Sequence, residues 1–452
     1  MIVMKFGGSS IDSAEAVRNV ADIVESKLER RPILVLSACG DTTDHLEQAI
    51  DIALTGDTGT AVEKLEEISE YHRHLVESLG FDDEWREEYI QKTDQFYEDL
   101  RILITGASML HDIAKKSIDR ILSFGERFST TLFYCYLSSR GIQTKLMDSR
   151  RFIKTTGEHT AAKPLLEESN SYIKENLHPA VKTGILPIVQ GFVGSSQDGE
   201  VTTLGRGGSD YTASIIGAAL EVDDIEIWSD VDGILTADPT IIPNAKVVDR
   251  MSFREASELA YFGARVLHPD TILPAVERDI PIHIYNSRNT NSTGSLIRAE
   301  FSNNDHPVVK SIAYKEAINV LNITSTRMFQ AHDFLRKVFE VLDRHGMVAD
   351  LVSTSEVSIS IAFHRQTGYH AVMEELGKFA TVALEREKAI VCLVGEKMRA
   401  RKGLLSKIFQ TLDEVRVNMI AQGASEVNLS FVIDEQDIER VVKQLHGVFF
   451  PE

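Results

Sequence analysis

Lys5-Phe6-Gly7-Gly8-Ser9-Ser10 and Leu204-Gly205-Arg206-Gly207-Gly208-Ser209-Asp210 each set a fixed cation beside bare backbone. Such a segment can hold an anion. Glycine lets backbone N–H groups approach closely, and a helix N-terminus adds partial positive charge. Each segment runs from an apolar, strand-like stretch into a helix-like one. Lys5 and Arg206 add full charges, so together the two read as halves of a polyphosphate site. Neither has P-loop spacing or the dinucleotide fingerprint. One Gly-Gly pair alone reads as a plain turn. Two, each with a cation and each opening a helix, point to function.

The rest of the composition narrows that reading. The chain has 452 residues, room for two or three domains. Its formal net charge of −20 argues against a nucleic-acid or anionic-membrane partner. An anionic substrate would then need a local cationic pocket, which again singles out Lys5 and Arg206. Cys39, Cys135 and Cys392 are few and far apart, so a reduced compartment, the cytoplasm, is expected and a zinc site is not. Among the 14 histidines none has metal-ligand spacing. No apolar run is long enough to span a bilayer. Ile2-Val3-Met4 already reads as a strand, so no signal or transit peptide is expected.

The elements that must position the glycine segments alternate. Ile2–Phe6, Ile33–Leu36, Leu186–Gln190 and Ile225–Trp228 are short apolar runs typical of strands buried on both faces. Asp12 or Ser13 can cap a helix whose apolar face includes Val17, Val20 and Val24. Another helix pattern follows Ser209. The alternation predicts an α/β fold, a three-layer domain with a mainly parallel central sheet, over residues 1–305. Ligands in such sheets gather beyond the carboxyl ends of the strands, where both glycine segments fall. An acidic helical stretch from about 57 to 105 breaks the alternation and reads as a helical excursion over the sheet edge, either a lid or, more simply, a solvated helical hairpin. Leu296-Ile297 is read as a last short strand.

Beyond residue 305 the chain repeats itself. Leu335–Asp343 matches Leu405–Asp413, and Ser355–Ile361 matches Ser425–Phe431, both at an offset of 70 residues. Val357, Ile359, Ile361 and Phe363 alternate at period two, as in a half-buried antiparallel strand. Each copy reads β-α-β-β-α-β, the ferredoxin-like plan. The expected division is 306–386 and 387–452, with a strand near 307–316 that can pair with the second copy.

Taken in order, the motifs resemble the aspartate kinase family. They are Lys5–Ser10, Ser37-Ala38-Cys39-Gly40-Asp41-Thr42-Thr43-Asp44, Ser123-Phe124-Gly125-Glu126, Thr203–Asp210, Trp228–Gly233 and Phe262–Pro269. The repeats resemble the paired ACT regulatory domains of that family. The resemblance covers essentially the whole chain. It implies an amino acid kinase fold and the reaction of L-aspartate with MgATP to give 4-phospho-L-aspartate and ADP, with ATP and Mg2+ bound together.

By the same resemblance, Lys5 bridges the ATP phosphates and the transferring group, and Gly7 and Gly8 give backbone contacts. Arg206 clamps a substrate carboxylate, and Glu126 holds the substrate ammonium. Ser37, Thr43 and Ser209 donate hydrogen bonds to substrate, and Asp210 orients Lys5. Ser229, Asp230, Leu235 and Arg265 lie along the nucleotide. Leu235, Thr240 and Arg265 depart from the aromatic residue, arginine and lysine usual there. The chemistry agrees: a carboxylate nucleophile is already ionised at neutral pH, so cations and N–H groups are needed rather than a general base.

For regulation, Met328, Phe334, Asp350 and Ser355 are the expected effector contacts in the first repeat. Asp350 is suited to an ammonium, whereas the matching position of the second repeat is Ile420. Lysine is favoured over threonine as the feedback amino acid, and a homodimer or dimer of dimers through the repeats is expected. Two other readings stand at this point. One is a kinase of the same fold for glutamate, N-acetylglutamate, carbamate or UMP. The other is a non-catalytic amino-acid sensor.

Overall fold

The apolar runs become the middle of an eight-stranded sheet. A computed structural model describes residues 1–263, 267–301, 308–324, 333–365, 368–422 and 425–451. Residues 1–234, 249–253 and 267–300 form one compact unit, and 235–248, 254–266 and 301–452 a second.

In the first unit the strands lie in the order Thr144–Met147, Leu186–Gln190, Pro32–Leu36, Ile2–Phe6, Asp224–Ser229, Ile282–Asn286, Ser295–Arg298, Arg250–Ser252. The first six are parallel and the last two run the other way. Every residue of Ile2–Phe6 and Pro32–Leu36 is buried, as strands covered on both faces must be. Because the first six strands are parallel, the loops after Phe6, Leu36, Gln190 and Ser229 leave from one edge. The helix Ala14–Ser26 is capped by Ser13, whose hydroxyl accepts from the Ala16 N–H at 3.2 Å.

The acidic stretch forms two helices, Thr58–Leu79 and Asp83–Leu110. It is not the solvated hairpin the sequence suggests. Leu75, Val76, Leu79 and Tyr89 pack into the cluster that holds Phe6 and Leu36, and Leu65, Ile68, Leu100 and Ile104 into another. The charges lie on the outer faces and dominate the composition, while one apolar stripe is enough to bury each helix.

The second unit carries a six-stranded sheet in the order Leu351–Thr354, Ser358–His364, Ser311–Thr324, Thr381–Val394, Asn428–Asp434, Met419–Ala421. Its two central strands are each 14 residues long and antiparallel. Each serves both repeats. Ile318–Thr324 and Thr381–Lys388 complete the first copy, and Ser311–Lys315 and Lys388–Val394 the second. The second copy therefore does not supply its own fourth strand. Ser311–Lys315, which precedes the first copy in sequence, covers what would otherwise be the bare edge of Lys388–Val394. The two long strands stay paired throughout, and the outer neighbour changes from Ser358–His364 to Asn428–Asp434 at register shifts between Lys315 and Val320. There Ala317 has φ 56° and, 70 residues on, Glu387 has φ 55°. Both are in the left-handed region that non-glycine residues rarely adopt, so the repeat extends to its backbone irregularities.

Candidate active site

Four strand ends and three helix starts converge on one cavity of about 320 Å³. Its lining includes Lys5, Gly8, Ser37, Thr43, Glu126, Ser209 and Asp210, all from the first unit. The helices Thr42–Leu54, Phe124–Ser139 and Gly208–Leu220 present Thr43, Glu126 and Asp210 from their first turns. Each therefore adds the partial positive charge of a helix N-terminus.

Backbone bonds fix the loops. The Gly7 N–H donates to the Trp228 carbonyl at 3.1 Å, and the Ser37 N–H to the Phe6 carbonyl at 3.1 Å. The Gly40 N–H donates to the Gly8 carbonyl at 3.1 Å. A side chain at Gly8 would bring its Cβ within 2.8 Å of the Ala38 carbonyl oxygen, so two loops approach there as only glycine permits. Gly207, with φ 70°, starts the helix Gly208–Leu220 in the left-handed region.

Lys5 is nearly buried, and its Nζ lies 2.7 Å from Asp210 Oδ1. Among the described residues that oxygen has no aligned hydrogen bond, so charge holds the pair and leaves the ammonium donors able to turn to another anion. Glu126 is 3% exposed. Its Oε1 accepts from the Ala38 N–H at 3.3 Å, while Oε2 is buried with no hydrogen-bond partner among the described residues. Burial pushes its carboxyl up to about 8, against the opposing pull of backbone N–H groups and of Lys5. A buried acid with one open oxygen is arranged to receive a cation.

The sequence-predicted residues divide. Lys5, Gly8, Ser37, Thr43, Glu126, Ser209 and Asp210 meet in the cavity. Arg206 is exposed and is not part of the lining, although Gly205 and Gly207 on either side are. Gly7 is beside Lys5, but its N–H is engaged by Trp228. Ser229 ends the strand Asp224–Ser229 and Asp230 follows it; the Asp230 carbonyl accepts from Asn286 Nδ2 at 3.3 Å. Leu235 belongs to the second unit and pairs with Val247. Arg265 and Met328 lie outside the described residues.

In the second unit, Phe334 is buried and meets Phe379 edge-on. Ser355 is a turn residue, its N–H donating to the Ser358 carbonyl at 2.8 Å. Asp350 Oδ1 receives Lys315 Nζ at 2.6 Å and the Tyr261 hydroxyl at 3.2 Å, and its Oδ2 is buried with no hydrogen-bond partner among the described residues.

Sequence reasoning missed Phe192, which lines the cavity with φ 63°. It also missed Gly191, where a Cβ would come 2.5 Å from Ser209 Oγ. The signal available was position alone: Gly191-Phe192 directly follows a buried parallel strand, where such sheets place their ligands.

The amino acid kinase family model matches residues 1–286, and an ACT domain model matches residues 391–449. Aspartokinase 2, chloroplastic, of Arabidopsis thaliana is 38% identical over 99% of this chain and 84% of its own length. Lysine-sensitive aspartokinase 3 of Escherichia coli is 34% identical over 100% of this chain and 99% of its own. The crystal structure of E. coli aspartokinase III with aspartate and ADP superposes with a TM-score of 0.84 at 34% identity, covering 100% of both chains. The lysine and aspartate complex of that enzyme gives 0.82 at 33% identity, covering 100% of this chain and 99% of the other.

Proposed function

The chain belongs to the aspartokinases of the amino acid kinase family, and from that premise we propose how its pocket and its repeats work. The activity is ATP-dependent phosphorylation of the side-chain carboxylate of aspartate. The observation that carries the assignment of parts is the meeting, in one cavity, of the Lys5–Asp210 pair and the open oxygen of Glu126.

In this reading the substrate ammonium donates to Glu126 Oε2, while Ser37, Thr43 and Ser209 donate hydrogen bonds to the acceptor oxygens of the substrate. The β-carboxylate oxygen attacks the γ-phosphorus, the bond to the bridging oxygen breaks, and ADP leaves with that electron pair. No proton has to be removed from the nucleophile. Lys5 and the helix N-termini offset negative charge on the transferring group, and Asp210 holds Lys5 in line. Gly8, Ser229 and Asp230 belong to the nucleotide side. Among the described residues no group of three or more His, Cys, Asp or Glu could hold a metal ion. Bound with the nucleotide, Mg2+ would offset phosphate charge. The direct test is ADP release by the purified protein with MgATP, offering aspartate, glutamate and N-acetylglutamate one at a time. Turnover with aspartate alone is expected; equal turnover with glutamate would refute the assignment.

Arg206 is exposed between two glycines that line the cavity, and its two-pronged guanidinium suits a carboxylate better than a point charge does. Arg206→Lys is expected to raise the KM for aspartate about tenfold, with that for ATP within about threefold. Parallel changes in both would put Arg206 on the nucleotide.

The repeats, taken as regulatory domains beyond about residue 305, sense an amino acid, with lysine favoured. Asp350 supports this, since its free Oδ2 can take an ammonium beside Lys315. Asp350→Ala is expected to raise the lysine concentration for half-inhibition about tenfold or more, with uninhibited turnover near normal. Titration of lysine, then threonine, then both, checks it; unaltered inhibition would remove Asp350 from the effector site. Exposed Leu335, Phe339, Val348 and Val357 on the repeats support self-association as a homodimer or dimer of dimers. Three buried free cysteines suit a reduced compartment such as the cytoplasm.

A further inference from the structure

Asn286-Ser287-Arg288-Asn289 begins on the last residue of the strand Ile282–Asn286 and reads in sequence as an ordinary polar turn. Its contacts are not ordinary. Ser287 is 2% exposed and Ser10 is fully buried. The Ser287 hydroxyl lies 2.8 Å from Ser10 Oγ, and Ser10 in turn donates to the Trp228 carbonyl at 3.4 Å. That carbonyl also receives the Gly7 N–H. The Ser287 N–H donates to the Ser229 carbonyl at 2.8 Å. Arg288 Nη2 reaches the Ser9 carbonyl at 2.9 Å and Asp12 Oδ2 at 2.6 Å. Asn286 Nδ2 and Asn289 Nδ2 both donate to Asp232 Oδ1, at 2.8 and 3.0 Å. Four consecutive residues thus grip the first glycine loop on one side and the turn after Ser229 on the other.

We propose that this segment is a clasp that sets the first glycine loop against the Ser229–Gly233 turn, and that Asn286, Ser287 and Arg288 are positioning residues for the nucleotide. Asn286 is the hub. Its Oδ1 accepts the Arg288 N–H at 2.8 Å and so shapes the clasp, while its amide fixes Asp232. Neighbouring loops alone would not require two buried hydroxyls, 277 residues apart, to be matched to each other. The proposal rests on the assignment of Gly8, Ser229 and Asp230 to the nucleotide side.

Asn286→Asp sets a carboxylate against Asp232 and removes the donor. The KM for ATP is expected to rise about tenfold, with the KM for aspartate within about threefold, because a small displacement of a positioning loop is costly to the group it holds. Adding Asp232→Asn restores a donor–acceptor pair with the roles exchanged and should recover most of the ATP affinity. Ser287→Ala, a smaller change, should raise the KM for ATP about threefold while lowering the Tm by only a few degrees. The proposal is overturned if both single variants keep a normal KM for ATP. It is also overturned if ATP and aspartate constants rise together, or if the double variant is no better than Asn286→Asp. Should Asn286→Asp fail to fold, Ser287→Ala alone decides by the same split. Aspartate-dependent ADP release by the unaltered enzyme in the same assay separates failure of the clasp from failure of the functional reading.

Discussion

Lys5→Met is expected to fold normally and to lose about 10²–10³-fold in turnover, the usual cost of removing a preorganised charge from developing negative charge. Methionine matches the length of the aliphatic stem, and Lys5 sits on a strand whose other residues are apolar and buried, so the sheet has no reason to open. What remains is Asp210, now without its cation 2.7 Å away. An uncompensated carboxylate beside the phosphates repels them, so the KM for ATP should rise as well. Steady-state kinetics with both substrates varied, alongside the Tm, check this. Turnover within a few-fold of the parent enzyme would mean that Lys5 does not face the transferring group.

Glu126→Gln should raise the KM for aspartate by about 10²-fold at pH 8.5, since removing one partner of a buried ion pair leaves the other unpaired. The amide keeps the bond from the Ala38 N–H and so preserves the loop. The same residue predicts a pH dependence. Burial holds the free carboxyl at about 8, so below that pH it carries a proton. A substrate ammonium favours the carboxylate, so binding expels that proton. The KM for aspartate should therefore fall about tenfold for each unit as pH rises towards 8, and flatten above it. In Glu126→Gln the slope should vanish. A variant that kept the parental slope would assign it to another group and remove Glu126 from the ammonium site.

Much of this site could be read from the chain because its parts lie at junctions. Lys5, Ser37, Glu126 and Asp210 each stand where an apolar run or a serine-glycine turn gives way to a helix, and a parallel sheet brings such junctions to one edge. Asp350 was legible as an acid after an apolar triplet, but not its partners, because Tyr261 and Lys315 reach it from distant segments. The clasp escaped for the same reason: nothing local marks Ser287 as the partner of Ser10. Phe192 was hidden differently. A positive φ at a phenylalanine is disfavoured on local grounds, so only the tertiary setting fixes it. The hairpin Thr58–Leu79 and Asp83–Leu110 was misjudged because charge counts describe its outer surface and say little about one buried stripe.

The shared pair of long strands makes the first repeat a guest inside the second. The chain lays down Ser311–Lys315 for the second copy, builds the first copy whole, and returns to the second at Lys388. The guest is thus tethered to its host at two points that lie side by side, Lys315 across from Ile390 and Ile318 across from Lys388. Any distortion of the guest by a bound molecule pulls on both tethers at once, and it does so where Ala317 and Glu387 already hold the backbone off its preferred conformation. The host cannot be cut away as a contiguous fragment: residues 387–452 alone would leave Lys388–Val394 as an open edge, seeking another strand.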